Sequence, residues 1–242
     1  MEKKFIIICA LPRSGSTLLL RIINKYKNTN LYGENFNCFS HLNQTFHNIK
    51  KTLDWDGKYD VPKSRNEFDN FNYHGTAWYN EFNINDVKKS FIKFIVDLLD
   101  KNNEYINIGF KEIRHGFETN NDFQDDQLKA KDFESFKNEL AFFIDLFGNN
   151  CKIIFLIRNY ESLIKSSRGW NCFKDKDSSI NQLEVVTNNY KNFCNIYKDN
   201  SCIIEYENII YDTNNTILKL SQFLNINYDL EEVLKEFEKK TN

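Results

Sequence analysis

The sequence predicts an α/β fold in which a mostly parallel sheet is flanked by helices. Short runs of apolar residues alternate with helical patterns along the chain, and the runs are continuously apolar. This pattern is typical of parallel strands that are buried on both faces by the helices that connect them. Only two prolines occur among the 242 residues, and no Pro-rich linker or internal repeat divides the chain. We therefore expect one domain over residues 1–242.

The first βα unit covers about residues 5–28. Its strand is the isoleucine-rich run from Phe5 to Ala10, after which leucines and isoleucines resume on a helical spacing. The next helix is expected to begin with Asn85 or Asp86 as its N-cap. It would place on one face the side chains of Phe91, Phe94, Ile95, Leu98 and Leu99.

The remaining pattern continues the alternation of strands and helices. In chain order we expect a strand over 105–110, a helix over 132–147, a strand over 152–157, a helix after Arg158, a helix over 181–197, a strand over 201–206 and helices over 213–224 and 229–240. In an open sheet of this kind, ligands bind beyond the carboxyl ends of the strands. We therefore expect a site at which Arg13, Lys111, Arg158 and Tyr206 cluster.

Residues 40–85 are polar and aromatic without a sustained period. We interpret them as an insertion on the acceptor side of the site, where a second substrate would bind. Its aromatic side chains either bind an acceptor or pack the segment onto the domain. They are Trp55, Tyr59, Phe68, Phe71, Tyr73, Trp78 and Tyr79. They identify no particular acceptor.

Charge and cysteine content exclude several classes of protein. The chain has 32 basic and 34 acidic residues, so it lacks the broad positive field typical of nucleic-acid binding. Its six cysteines show no C-x-x-C or metal-ligand spacing, and Cys9, Cys151 and Cys202 begin or occupy predicted strands. We interpret them as reduced thiols and expect no metal.

The sequence also predicts a soluble cytoplasmic protein without membrane contact. No apolar span reaches transmembrane length. The apolar run after the basic amino terminus is broken by Pro12 and Arg13 and has no convincing cleavage site for a signal peptidase. The oligomeric state is left open.

The segment FIIICALPRSGSTLLLRII, residues 5–23, predicts an anion site. Ser14, Gly15, Ser16 and Thr17 are small enough for the backbone to close around an oxyanion at the start of a helix, and Arg13 adds a charged fork. No lysine precedes Ser16 or Thr17, so the loop is not a Walker A sequence.

A second strand runs into a helix start at CKIIFLIRNYESLIKSSRGW, residues 151–170. Arg158 lies at the carboxyl end of this strand and can bind a phosphate through two parallel hydrogen bonds. Ser166 follows eight residues later, and a serine two helical turns along reaches the same side. The alternative is that both residues are ordinary solvated positions.

The segment LPRSGSTLL resembles the 5′-phosphosulfate loop of sulfotransferases that use 3′-phosphoadenylyl sulfate (PAPS). It is closest to the bacterial carbohydrate and tyrosylprotein types, in which P-R-[ST]-G-[ST]-[ST] is typical. Members of this family also carry an Arg followed eight positions later by a Ser, as Arg158 and Ser166 are here. The strand end IIEYENI matches their Y-E-[DN]-[LIM] motif. The resemblance covers about residues 5–39, 152–170 and 202–210.

The resemblance implies a three-layer, P-loop NTPase-like sulfotransferase fold and PAPS as the sulfuryl donor, with adenosine 3′,5′-bisphosphate (PAP) as product. The acceptor would be a hydroxyl of a carbohydrate, a tyrosine or a small molecule. Arg13, Ser14, Gly15, Ser16 and Thr17 would bind the phosphosulfate. Arg158 and Ser166 would hold the 3′-phosphate, and Tyr206 would contact the nucleotide unless it is an ordinary strand aromatic.

Sulfuryl transfer also needs a base. The resemblance favours Glu34, because related enzymes have a Gly-Glu pair here and it is the only carboxylate between Glu2 and Asp54. Some relatives have a second carboxylate one to three residues later, where this chain has Asn35, Phe36 and Asn37. His41 and His47 are rival bases.

Arg13 has two implied duties, which are binding the phosphosulfate and stabilising charge on the bridging oxygen as the sulfuryl group leaves. Lys111, Arg114 and His115 follow another strand and either face the site or are merely solvated. Two other functions stay open. One is a kinase with an unusual phosphate loop, and the other is a nucleotide-binding protein without catalysis.

Overall fold

The computed structural model describes residues 2–35, 37–53, 83–118, 128–167, 173 and 175–238. Within them a five-stranded sheet forms with the strand order β2-β3-β1-β4-β5. Every neighbouring pair is parallel. The strands are β1 (Lys4–Ala10), β2 (Thr29–Tyr32), β3 (Asn107–Glu112), β4 (Cys151–Ile157) and β5 (Ser201–Glu205).

Helices connect these strands. In chain order they are α1 (Ser16–Ile23), α2 (Cys38–Leu53), α3 (Ile84–Leu99), α4 (Phe133–Phe147), α5 (Tyr160–Ser166), α6 (Lys176–Ile196), α7 (Tyr206–Tyr211), α8 (Thr213–Leu224) and α9 (Leu230–Glu238). A short 3-10 helix, Gly148–Asn150, leads from α4 into β4.

Strand β1 lies at the centre of the sheet. Ile7 is opposite Phe110 on β3 and Ile153 on β4. The side chains from Phe5 to Ala10 are fully buried, which explains why this run is continuously apolar. From β1 the chain passes to β2 at one edge of the sheet, and from β4 it passes to β5 at the other edge. The ends of β1 and β4 therefore border the crevice where such sheets bind ligands.

Aromatic packing joins the sheet to the helices on one face. Phe5 on β1 stacks on Phe147 of α4 with ring centroids 4.4 Å apart. Phe155 on β4 stacks on Tyr190 of α6 at 4.5 Å. Phe39 of α2 also stacks on Phe110, at 4.8 Å. The helices α2, α4 and α6 thus contribute to the core that anchors these strands.

A second group of helices, α1, α8 and α9, packs together through polar as well as apolar contacts. The Tyr26 hydroxyl, just after α1, donates to the carbonyl oxygen of Ile217 on α8 at 3.0 Å. Arg21 on α1 pairs with the buried Glu236 on α9 at 2.7 Å. With the sheet between the two helix groups, the domain has the three layers that the sequence predicts.

Several boundaries differ from the sequence predictions. The predictions missed β2, α2 and α7. Strand β3 covers 107–112 rather than 105–110, and α6 begins at Lys176 rather than 181. Strand β5 ends at Glu205, so Tyr206 is the first residue of α7 and not the last residue of a strand. Local sequence propensity predicts the ends of helices and strands poorly, because tertiary contacts determine where each element ends.

The predicted N-cap and apolar face of α3 need correction. Asn83, and not Asn85 or Asp86, caps the helix, because its side chain accepts a hydrogen bond from the Asn85 N–H at 2.9 Å. Ile95 and Leu99 are buried, whereas Phe94 and Leu98 are 52% and 56% exposed. The buried stripe is therefore narrower than the sequence suggests.

The predicted insertion is only partly described. Its first part forms helix α2, where Phe46 packs on Phe142 of α4 with ring centroids 5.4 Å apart. The seven aromatic residues from Trp55 to Tyr79 lie outside the described residues, as does Cys172. The five described cysteines are free thiols, with Cys9 and Cys151 buried. Among the described helices, none combines the length and apolarity needed to cross a membrane.

Candidate active site

The structure brings the predicted residues to one edge of the sheet. Arg13 follows β1, Lys111 is near the end of β3, Arg158 follows β4 and Tyr206 follows β5. Because all strands are parallel, their carboxyl ends meet at this edge. Arg13, Arg158 and Tyr206 contact one another or their neighbours there, whereas Lys111 shares the edge but contacts Glu34.

The turn between β1 and α1 has a conformation that depends on glycine. Gly15 has a φ of 90° and is the N-cap of α1, and Arg13 has a φ of 61°. Ser16 and Thr17 open the helix, so their N–H groups have no acceptor within it. The buried Ser14 hydroxyl donates to the Leu11 carbonyl oxygen at 2.6 Å, which closes the turn. The start of α1 therefore offers backbone donors that suit an anion.

Arg158 and Ser166 both contact the backbone of Arg13. Arg158 Nη1 donates to the Arg13 carbonyl oxygen at 3.0 Å, and Ser166 Oγ lies 3.5 Å from the same oxygen. Arg13 Nε in turn donates to the Ser166 carbonyl oxygen at 3.2 Å. Residues separated by 145 positions in the chain therefore share one small site.

Tyr206 contacts both the loop and Arg158. Its ring is so close to Gly15 that a Cβ atom on that glycine would come within 2.4 Å of the ring carbons. The Arg158 guanidinium carbon is 4.3 Å from the ring centroid, which is a cation–π distance. Tyr206 thus packs against both the loop and Arg158.

Glu34 lies on the segment after β2 and pairs with two cations. Lys111 Nζ is 2.5 Å from its Oε1, and Arg114 Nη1 is 3.0 Å from its Oε2. The Glu34 side chain is 31% exposed, whereas those of Lys111 and Arg114 are 7% and 10% exposed. The alternative that these two cations are solvated residues at a strand end is therefore wrong.

The histidines lie in two different environments. His41 and His47, the rival bases, are exposed on α2. His115 is buried, and its Nδ1 lies 2.6 Å from Oε1 of Glu139 on α4. Burial would raise the pKa of Glu139, but His115 and the ion-paired Lys131 lower it to about 2. His115 therefore belongs to a buried cluster with Glu139 and Lys131.

Sequence reasoning missed Glu112, which is fully buried at the end of β3. It pairs with Arg114 at 2.8 Å and accepts backbone hydrogen bonds from the Glu34 segment. The only signal in the sequence is an acidic residue two positions after the end of the predicted strand. That signal says nothing of its partners, which are 75 and 77 residues away.

A cavity of about 390 Å³ opens beside Arg158, between the ends of β4 and β5 and helix α6. Its lining includes Asn159, Glu207 and Lys191 but no residue of the phosphate loop. Among the described residues, no cluster of three His, Cys, Asp or Glu side chains is arranged to hold a metal ion.

Comparisons with known proteins identify the family and the fold of the chain. A family model described as "Sulfotransferase family" matches residues 6–230. The sulfotransferase domain of the Synechococcus PCC 7002 olefin synthase aligns with a TM-score of 0.54 at 16% identity, covering 97% of this chain and 77% of that one. The sulfotransferase domain from the curacin biosynthetic pathway gives 0.51 at 16% identity, covering 98% and 78%.

No curated protein matches the sequence. At 16% identity the two solved structures show the fold, and the family match covers nearly all of the sheet and the candidate site. The chain therefore belongs to the sulfotransferase family.

Proposed function

We propose that this enzyme transfers the sulfuryl group of PAPS to a hydroxyl group of its acceptor. The observation that carries the proposal is the contact of Arg158 and Ser166 with the main chain of Arg13. It supports a single site in which one nucleotide contacts the phosphate loop with its 5′ end and the Arg158–Ser166 pair with its 3′-phosphate.

The residues present fit a doubly phosphorylated nucleotide. The backbone donors of the loop suit the phosphosulfate, and Arg158 suits a phosphate because its guanidinium can form two parallel hydrogen bonds. The Arg158 Nε is buried and has no hydrogen-bond partner among the described residues. A buried donor of this kind is stabilised when an anion accepts its hydrogen bond.

The proposed reaction is an in-line displacement. The acceptor oxygen forms a bond to sulfur while the bond from sulfur to the bridging oxygen breaks, and PAP leaves with that electron pair. Glu34 takes the proton of the acceptor hydroxyl, and Arg13 with the loop amides stabilises the charge that develops on the bridging oxygen. Lys111 and Arg114 hold both carboxylate oxygens of Glu34 in place.

The acceptor is proposed as a carbohydrate, a tyrosine or a small molecule with a hydroxyl group, in the cytoplasm. Next to Glu34 in the chain, both polar atoms of the Asn35 side-chain amide are buried without a partner among the described residues. An amide can donate to and accept from a hydroxyl group, so Asn35 suits a polar acceptor.

Isothermal titration of the whole chain with PAP tests the donor. We expect micromolar binding by the wild-type protein and a loss of at least roughly tenfold in Arg158→Ala, because charge-assisted hydrogen bonds are removed. Lys152→Ala is the matched control, since Lys152 is a cation at the other end of the same strand and donates to Asp199. Equal affinities in the two variants, or no binding by the folded wild-type protein, would contradict the proposal.

The same titration with ATP and magnesium distinguishes a kinase. A kinase would bind ATP with magnesium more tightly than PAP and release ADP. A sulfotransferase is expected to prefer PAP and to release it from PAPS in the presence of a hydroxyl acceptor. PAP binding without transfer to any of a broad set of sugars, phenols and tyrosine peptides would indicate a binding protein without catalysis.

A further inference from the structure

Glu112 is a fully buried carboxylate that accepts five hydrogen bonds. Its Oε1 accepts from the Ile113 N–H at 2.9 Å, the Arg114 N–H at 3.2 Å and Arg114 Nη1 at 2.8 Å. Its Oε2 accepts from the Asn35 N–H at 3.2 Å and the Asn37 N–H at 2.9 Å. One side chain thus connects the end of β3 to the segment after β2.

A buried carboxylate with five donors is held in its charged form. Burial alone would raise the pKa of Glu112, but the charge of His115 and the hydrogen bonds from Asn37 and Arg114 lower it below its ordinary value. A charged group at this position stabilises only an arrangement in which all its donors remain in place, since a buried charge without partners is strongly unfavourable.

The segment that Glu112 holds is the one that carries Glu34. Asn35 follows Glu34 directly, and Asn37 has a left-handed φ of 55° that its hydrogen bond to Glu112 helps to maintain. Arg114 adds a second connection, because its Nη1 contacts Glu112 Oε1 and Glu34 Oε2 together. Glu112 therefore determines the position of Glu34 through the backbone and through a shared cation.

We propose that Glu112 is a positioning residue that fixes Glu34 in the site by binding the backbone of residues 35 and 37 and by orienting Arg114. The proposal rests on the proposed role of Glu34 as the base. Because Glu112 itself is fully buried, we assign it a positioning role and not a catalytic one. Its effect on turnover arises because a reacting group displaced by about 1 Å loses on the order of 100-fold in rate.

Two substitutions test the proposal. Glu112→Gln keeps the volume but turns one oxygen into an NH2 group, which faces N–H donors whichever way the amide is placed. Glu112→Asp keeps a negative charge that can still pair with Arg114, but its shorter side chain cannot reach both sets of donors.

Asp100→Asn is the matched control. Asp100 is also a buried carboxylate, and it accepts from the Glu104 and Tyr105 N–H groups at 2.9 and 3.1 Å and pairs with Lys3 at 2.5 Å. Because Lys3 precedes β1, this cluster lies at the opposite edge of the sheet from the site. Asp100→Asn thus reproduces the loss of a buried carboxylate without touching Glu34.

Two measurements are made on each whole-chain variant. Hydrogen exchange followed by mass spectrometry reports the amides of residues 33–38, and PAP release from PAPS is followed with the acceptor that the wild-type enzyme sulfates fastest. We expect both Glu112 variants to exchange faster in this segment. We also expect kcat to fall by roughly 10- to 100-fold, with the KM for PAPS within about twofold of wild type. Asp100→Asn should change neither measurement at the site.

Unchanged exchange at residues 33–38 in Glu112→Asp would overturn the proposal, as would wild-type kcat in that variant. An equal fall of kcat in Asp100→Asn would also overturn it, because the effect would then be general destabilisation. If the wild-type chain does not bind PAP, the proposed function fails, and the exchange measurement still decides whether Glu112 holds the segment.

Discussion

The two sides of the candidate site hold their cations in different ways. On the side of β1 and β4, Arg158 donates to the Arg13 carbonyl oxygen and stacks on Tyr206, which are neutral partners. On the side of β3, Lys111 and Arg114 pair with carboxylates. Neutral partners leave the charge of a cation available to an anion, whereas carboxylates cancel most of it.

This difference indicates that the two sides of the site are suited to different roles. The side of β1 and β4 is suited to attract and hold an anionic donor. The side of β3 has two cations, Lys111 and Arg114, and two carboxylates, Glu34 and Glu112, so it has little net charge. Its ion pairs instead fix geometry, as the proposed proton transfer to Glu34 requires. Substitutions on the two sides should therefore affect different steps.

The largest effect is expected for Glu34→Gln, which removes the proposed base and keeps the volume. We expect kcat to fall by roughly 100- to 1,000-fold while the affinity for PAP stays near wild type. Steady-state turnover and PAP titration measure the two quantities. His41→Gln and His47→Gln are controls on exposed positions of α2, and a larger loss of kcat in either would make a histidine the base.

A smaller loss, now in affinity, is expected for Gly15→Ala. Its left-handed φ of 90° disfavours a side chain, and the added Cβ would lie 2.4 Å from the ring of Tyr206. Displacement of the loop should weaken PAP binding by roughly 10- to 100-fold. Gly33→Ala is the control, because a Cβ there meets nothing within 4 Å. Equal PAP affinities in the two variants would show that the loop does not bind the nucleotide.

Arg158→Lys and Arg114→Lys compare the two sides directly. Each keeps a positive charge but loses the planar fork. We expect PAP affinity to fall about tenfold in Arg158→Lys, because two parallel hydrogen bonds to a phosphate are lost, and to stay near wild type in Arg114→Lys. Equal effects on PAP binding would show that the nucleotide extends over both sides and that the proposed difference in their roles is wrong.

Sequence patterns predicted the elements whose residues give a clear local signal. The run from Phe5 to Ala10 and the loop after it were predicted because continuous apolar residues and small residues are local signals. Helix α2 was missed although Phe39, Leu42, Phe46 and Ile49 have a helical spacing. The stretch with this spacing is only a short part of a long polar segment, and the segment as a whole has no period. Strand β2 has four residues, which is too short for a pattern.

The candidate site was predictable where a motif continues a strand end. Arg13, Arg158 and Tyr206 follow β1, β4 and β5, so a parallel sheet places them together. The pairing of Glu34 with Lys111 was not predictable, because residues 77 positions apart meet only through the register of β2 and β3. A charged side chain has a structural role when it is buried with its partners. The sequence of a strand does not show whether one charged residue in it is buried.

The smallest functional effect is expected for Glu139→Gln, in the buried cluster of His115 and Lys131 on the side of β3. The folded-state pKa of Glu139, about 2, lies below its ordinary value of 4.5, so its charged form stabilises the fold above pH 4.5. That contribution is lost as the pH falls towards 2. Between about pH 6 and pH 3, the free energy of unfolding of the wild type should fall by on the order of 2 kcal/mol more than that of Glu139→Gln.

Urea unfolding at each pH measures this difference, with Glu134→Gln as the control because Glu134 is 68% exposed on the same helix. PAP affinity should not change, because the cluster lies on the side of β3 and not among the residues proposed to bind the nucleotide. Parallel pH curves for the wild type and Glu139→Gln would show that the cluster does not stabilise the fold through its charge.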